Sequence, residues 1–393
     1  MDQTSLFLEA DMTASARRYD LDALRVGAFM LLILYHLGMF YVPWGWHVKS
    51  SHIVPALEPL MGAVNPWRLS LLFVISGAAT RFMSARSGAG ALAAQRSQRL
   101  LIPLLFGMLV VVAPQSWAQA VETRGYAGSF LDFWPRYLSS DTNFGFIVPT
   151  YNHLWFVVYL WVYTVLAILA RPLWPAMERV TARLLSGPGL VVVPILLTGL
   201  YQATAGRAWG ETHLVWADGY AHLQYGTMFL LGLLLARNEA AWAFLERRRF
   251  VLLGVVAAVL VAAFSLIRYE EQPGWPGFGF AFLREAYAWT VICALFGFAH
   301  RHIRSGSPLL TTLTEAVFPF YIIHQTTIVV VGHLLKPYGL AALPEAGIIL
   351  AATVASCWAT YGLAVAAPIL RLPLGLKPAE QRAIAKPAPQ PGA

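Results

Sequence analysis

Apolar runs long enough to cross a bilayer recur along this whole 393-residue chain, and they leave few folds open. A helix needs ~20 predominantly apolar residues to cross ~30 Å of hydrocarbon. About ten such runs can be read, near 26–44, 69–83, 100–119, 154–173, 190–205, 220–236, 250–267, 280–299, 316–335 and 346–369. Backbone polar groups in hydrocarbon must be satisfied within the segment, so the runs predict helices and the chain an all-α polytopic membrane bundle. The second run is short and broken by polar residues. Composition agrees: 58% of residues are hydrophobic and 12% charged, against ~25% charged in an ordinary soluble domain. That excludes a disordered chain and argues against a soluble enzyme. The longest non-apolar stretch, residues 122–152, is too short for a separate soluble domain.

The chain has 28 Lys and Arg against 20 Asp and Glu. With the N-terminus placed in the cytoplasm, nineteen of the basic residues fall in cytoplasmic segments and eight on the other side, with Arg25 at the start of the first run. Cytoplasmic loops favour Lys and Arg, so the expected orientation is N-in and C-in, and the basic surplus calls for no nucleic acid. Residues 1–19 carry Asp2, Glu9 and Asp11 without an apolar core after a basic start. They read as a cytoplasmic segment and not as a cleaved signal peptide. Residues 20–371 form the membrane domain, and the Pro/Ala-rich stretch 372–393 reads as a disordered cytoplasmic tail. The two cysteines, Cys293 and Cys357, fall in apolar runs and suggest neither a disulfide framework nor a metal site.

The first run holds the polar residues that a bilayer tolerates least. His36 follows Arg25 by eleven residues, which at 100° each is within about 20° of a whole number of turns, so both share one helix face. The rise between them is ~16 Å. Asp22 falls within about 40° of the same stripe. An ionisable group at that depth is a functional candidate by default, and imidazole titrates in the range that suits proton transfer. A buried histidine bonded to a neighbouring helix is the plainer alternative, and Asp22 with Arg25 also fits a simple i,i+3 pair.

The spacing R-x10-H, here Arg25 to His36, resembles the membrane acyltransferase 3 family. Four further segments match that family in order. They are Trp67-Arg68 through Ser76-Gly77, the basic stretch with Arg96, Arg99 and Pro103, the segment Asn152-His153-Leu154-Trp155, and the late Tyr321-Ile-Ile-His324-Gln325. Ala78 and Tyr159 stand where the family often has Phe and Glu, which is closer to its glucan-modifying, succinyltransferase branch. The resemblance implies a bacterial inner-membrane O-acyltransferase. It would move an acetyl or succinyl group from cytoplasmic acyl-CoA to a hydroxyl of an extracytoplasmic or lipid-linked glycan. Acyl-CoA would be a substrate, with no permanently bound cofactor.

On that reading His36 is the general base, and Arg25 and Asp22 orient the donor or the helix. Arg81, Arg86, Arg96 and Arg99 suit the phosphates of coenzyme A, since Arg makes bidentate phosphate contacts; they equally satisfy the positive-inside rule. Arg68, Ser76, His153, Trp155, Tyr321 and His324 are further substrate-site candidates. Of these, Arg68 heads the second run beside an interfacial Trp67, Ser76-Gly77 also reads as a close-packing step, and His324 lies at membrane depth. Glu285 is expected paired or solvated, and His300 and His302 solvated in a short loop. A proton-coupled transporter would use the same intramembrane His and Arg, and a structural partner of a glycan assembly would need neither. The residues do not set the oligomeric state, and a homo-oligomer is left open.

Overall fold

The structure, a computed structural model, describes residues 17–378. Regular structure among them is helical, with no strand. Helix α1 spans Tyr19–Tyr41. Asp20 and Asp22 occupy its first turn, where carboxylates face unpaired N–H groups. At its other end Lys49 Nζ donates to the carbonyls of Met39 and Val42, which suits a cation at a helix C-terminus. Helix α2, Glu58–Ser84, begins well before the apolar run does. It continues through Pro66, whose missing N–H a membrane helix tolerates when neighbouring elements support it.

Helix α3, Ala89–Phe106, passes through a π-helical turn, Gly107–Val111, into α4, Ala113–Arg124. Then follow α5 (Phe130–Leu138), α6 (Trp155–Leu169), the amphipathic α7 (Trp174–Leu184), α8 (Gly189–Tyr201) and α9 (Gly219–Leu235). Four long helices follow: α10 (Glu239–Leu266), α11 (Trp275–His302), α12 (Pro308–Leu335) and α13 (Ala342–Ala366). Asn238 and Ser307 cap α10 and α12 by accepting from the N–H groups of Ala241 and Leu310.

Among the described residues, nine segments are long and apolar enough to cross a membrane. Helix α9, 17 residues long, supplies the sixth of the ten runs expected. The apolar window of α10 has mean hydropathy 2.9 and is only 6% buried. So large an outward-facing apolar surface belongs against lipid. The chain is a multi-pass membrane protein.

Packing is closest where glycines meet. A Cβ on Gly77 of α2 would lie 1.9 Å from the Phe229 carbonyl oxygen of α9, and one on Gly232 of α9 would lie 1.9 Å from that of Val74. Small residues let two backbones touch in this way. Helix α1 rests on α2 and α12, and α12 pairs with α13. Residues 372–378, which the sequence assigns to the tail, fold back instead. Leu374 and Leu376 are buried beside Ala364 and Phe106 because they are apolar and can reach the bundle. The rest of the expected tail, 379–393, and the segment 1–16 lie outside the described residues.

Candidate active site

A cavity of about 710 Å³ opens at the end of the bundle where α1 terminates, and His36 lines it. Its walls come from α1, α2 and α9, and from the connecting segments 42–54, 145–154 and 210–218. Each of these segments is tied down. In the first, His47 Nδ1 donates to Gln119 Oε1 at 2.7 Å, Ser50 Oγ donates to the buried Glu345 at 2.6 Å, and Trp44 donates to Glu58 at 3.0 Å. Burial pushes the His47 imidazole below its ordinary pKa, and the Gln119 bond offsets part of that shift. This tethered segment carries Trp46, whose ring lies 6.3 Å from that of His36.

In the third segment, buried Asp218 accepts from Tyr159 Oη at 2.7 Å and from the His213 N–H at 2.7 Å. Tyr151 Oη donates to the His213 carbonyl at 2.7 Å. These bonds hold His213 at φ 56°, a conformation uncommon for a non-glycine residue. The His213 ring stacks on Trp155 with centroids 4.3 Å apart.

His36 Nδ1 lies 2.8 Å from His324 Nε2. His324 Nδ1 in turn lies 2.8 Å from the Tyr321 carbonyl oxygen and 3.2 Å from that of Phe320. His324 is fully buried behind His36 and does not line the cavity. His153, in the turn that leads into α6, donates from Nε2 to the carbonyls of Tyr321 and Ile322 at 3.1 Å, and its ring edge meets His324. Tyr321 Oη donates back to the His153 carbonyl. His153 and Trp155 reach the cavity wall, whereas Tyr321 supports it from behind.

Arg68 lies deeper than its place in the sequence suggests. Because α2 begins at Glu58, Arg68 stands ten residues, ~15 Å, into the helix instead of heading it. It is 5% exposed and lines the cavity with its guanidinium 3.3 Å over the Tyr35 ring, next to His36. Its Nε and Nη1 have no hydrogen-bond partner. Buried N–H donors without acceptors are costly, and Tyr35 and Glu211 offset only part of the cost of this charge.

The rest of the expected set stands elsewhere. Asp22 bridges Arg17 and Arg25 at 2.8 and 2.7 Å, so Arg25 pairs locally and does not meet His36. Arg96 and Arg99 of α3 come within electrostatic reach of Arg25, and the Nε atoms of Arg25 and Arg96 are buried without partners. These three arginines form a positive cluster at the opposite end of α1 from the cavity. Arg81 is instead paired with Glu178 of α7 at 2.8 Å. Ser76 does not line the cavity; beside it, Gly77 makes the backbone contact with α9.

Sequence reasoning missed several cavity residues. Trp46, Glu211, Tyr225 and Arg284 all line it, with Tyr225 Oη donating to Glu211 at 3.0 Å. Arg284 pairs with Glu285, which is fully buried and also accepts from Gln224 at 2.7 Å. The signal available in the sequence was this Arg-Glu dipeptide inside an apolar run. His300 is not simply solvated: it lies 3.1 Å from Asp20 and packs on Trp242, because α11 ends against the start of α1.

The fold and this cavity define a multi-pass helical membrane protein whose cavity is lined by an imidazole and by a buried arginine with two unbonded nitrogens. The chain belongs to the acyltransferase 3 family: the acyltransferase domain matches residues 18–362. It is an acyltransferase. Among curated relatives, glucans biosynthesis protein C of Salmonella gallinarum is 22% identical over 333 residues, covering 82% of this chain and 85% of the relative. The protein of that name from Salmonella heidelberg is 23% identical over 334 residues, again covering 82% and 85%. The Escherichia coli protein of that name is 28% identical over 152 residues, covering 39% and 38%. No solved structure matches.

Proposed function

We propose that the protein transfers an acyl group, acetyl or succinyl, from acyl-CoA to a hydroxyl of an extracytoplasmic or lipid-linked glycan, in a bacterial inner membrane. Coenzyme A would dock its phosphates at Arg25, Arg96 and Arg99, from the cytoplasmic side in the N-in orientation. The glycan would enter the cavity at the other end of α1. Trp46, Trp155 and Tyr225 offer aromatic surface there, and Glu211 offers a hydroxyl acceptor.

In the reaction His36 Nε2 takes the proton of the acceptor hydroxyl, and the alkoxide oxygen bonds to the thioester carbonyl carbon. Arg68 receives the negative charge that develops on the carbonyl oxygen. The intermediate collapses with cleavage of the C–S bond, and His36 returns its proton to the departing thiolate. Protons balance and no further reactant is needed. Cys293 and Cys357 are buried away from this cavity, so direct transfer is the simpler course.

The observation that carries this reading is that one cavity holds both His36 and an Arg68 whose Nε and Nη1 have no hydrogen-bond partner. The test is transfer of label from radiolabelled acyl-CoA to glycan by purified protein. His36→Ala should lose at least ~10²-fold in rate, the usual range for a general base. Full incorporation by a folded His36→Ala protein would end the catalytic assignment. Proton-coupled solute uptake without thioester consumption would favour a transporter.

A further inference from the structure

We infer that His324 is a positioning residue that fixes the tautomer of His36 and so leaves its cavity-facing nitrogen free to accept a proton. The inference rests on the proposed role of His36 as base and adds the device that makes it one.

The argument uses only donors and acceptors. A carbonyl oxygen accepts and cannot donate. His324 Nδ1 lies 2.8 Å from the Tyr321 carbonyl oxygen and 3.2 Å from that of Phe320, so Nδ1 carries the hydrogen. A neutral imidazole has one N–H, so His324 Nε2 presents a lone pair. His36 Nδ1 lies 2.8 Å from that lone pair and must donate to it. His36 Nε2 is therefore the bare nitrogen. Reversing the chain would require a charged His324, and its ring partners are His36, His153 and Tyr321, none of them anionic.

Ring geometry supports a true hydrogen bond. The two imidazoles are parallel to within 1°, with centroids 5.0 Å apart. That separation exceeds the 2.8 Å N···N distance by about the width of one ring, so the rings lie edge to edge in a shared plane. An in-plane N–H···N bond also fixes the direction in which His36 Nε2 points. The third member of the relay is backbone: Tyr321 is itself held by the hydrogen bond from its Oη to the His153 carbonyl. The arrangement parallels the logic of hydrolytic triads, in which a buried acceptor holds the base in its working tautomer. Here a neutral imidazole backed by a peptide carbonyl takes the place of a carboxylate.

The test uses full-length protein and three variants. His324→Leu keeps the bulk and removes the acceptor. Its kcat should fall at least ~10²-fold while KM for acyl-CoA stays within about twofold, since His324 touches neither substrate. His324→Gln restores an acceptor oxygen toward His36 and an amide donor toward Tyr321, and should recover to within about tenfold of the parent. The independent readout is the nitrogen NMR spectrum of ¹⁵N-histidine-labelled protein, with the His36 signal assigned by its loss in His36→Ala. The parent should show His36 protonated at Nδ1 and bare at Nε2, and His324→Leu should show a mixture. A His36 proton found on Nε2 in the parent, or a His324→Leu protein with parental kcat, overturns the inference. If His36→Ala keeps activity, the base assignment falls instead, and the spectrum still reports whether His324 sets the tautomer.

Discussion

The guanidinium of Arg68 rests 3.3 Å above the ring of Tyr35, with two of its nitrogens unpartnered, one residue along the chain from His36. A π face partly compensates a cation but leaves its N–H donors unused. Arg68 thus keeps two buried donors that no group among the described residues accepts from. Replacing it by Met should reduce acyl transfer by ~10² to 10³-fold, the loss typical for removing one oxyanion donor. The same change should raise the thermal midpoint of the purified protein, because it removes a buried charge only partly compensated by Tyr35 and Glu211. A less stable Arg68→Met protein would mean that the arginine serves the fold.

The arginines near the other end of α1 separate by partner. Arg96→Gln should raise KM for acyl-CoA about tenfold with little change in kcat, as expected for a contact made equally in ground and transition states. Arg81→Gln should leave KM unchanged, since Arg81 is already paired with Glu178. Steady-state kinetics with varied acyl-CoA distinguishes them, and equal effects would dissolve the proposed phosphate cluster.

Gly77 and Gly232 set the spacing of α2 and α9. An alanine at either would press a methyl group against backbone 1.9 Å away. Overpacking of this kind costs ~1 to 3 kcal/mol. The matching control is Gly62→Ala, where nothing lies within 4 Å and the change should be neutral or slightly stabilising. Thermal unfolding in detergent gives the comparison, and equal midpoints for Gly77→Ala and Gly62→Ala would contradict the packing argument.

His47 gives stability a dependence on pH. Its folded pKa is lowered by burial, while the unfolded ring titrates near its ordinary value, about 6.5. Below that value the unfolded state takes up a proton that the folded state resists, so stability falls as pH drops through and below about 6.5. The thermal midpoint of the parent should therefore fall more between pH 7 and pH 5.5, as chosen assay values bracketing that pKa, than that of His47→Gln. Parallel curves would remove His47 as the source.

Apolar run length was enough to foresee the bundle, because each membrane helix satisfies its own backbone and needs no distant partner. Residues on one helix were legible for the same reason: the Arg25–His36 stripe follows from helical spacing alone. Burial depth misled where a helix extended beyond its apolar run, as when the start of α2 at Glu58 carried Arg68 inward. What depended on distant contacts was hidden. His324 drew attention by its depth, but its bond to a residue 288 positions away could not be read. Nor could the closing segments be foreseen, since Trp46 and Glu211 sit in polar loops that only tertiary tethers such as His47–Gln119 and Tyr159–Asp218 bring over the site.

Helix α1 also acts as a ruler. Its charged end at Arg25 and its imidazole at His36 are eleven residues apart, ~16 Å along a rigid rod. In the proposed reaction a donor anchored by its phosphates must present its thioester at that remove. A thioester on a stub too short to span the gap cannot use both ends at once. Such a stub either binds by its charge and stays out of reach, or reaches the imidazole unanchored. The chain would thus select its donor by reach before it distinguishes one acyl group from another.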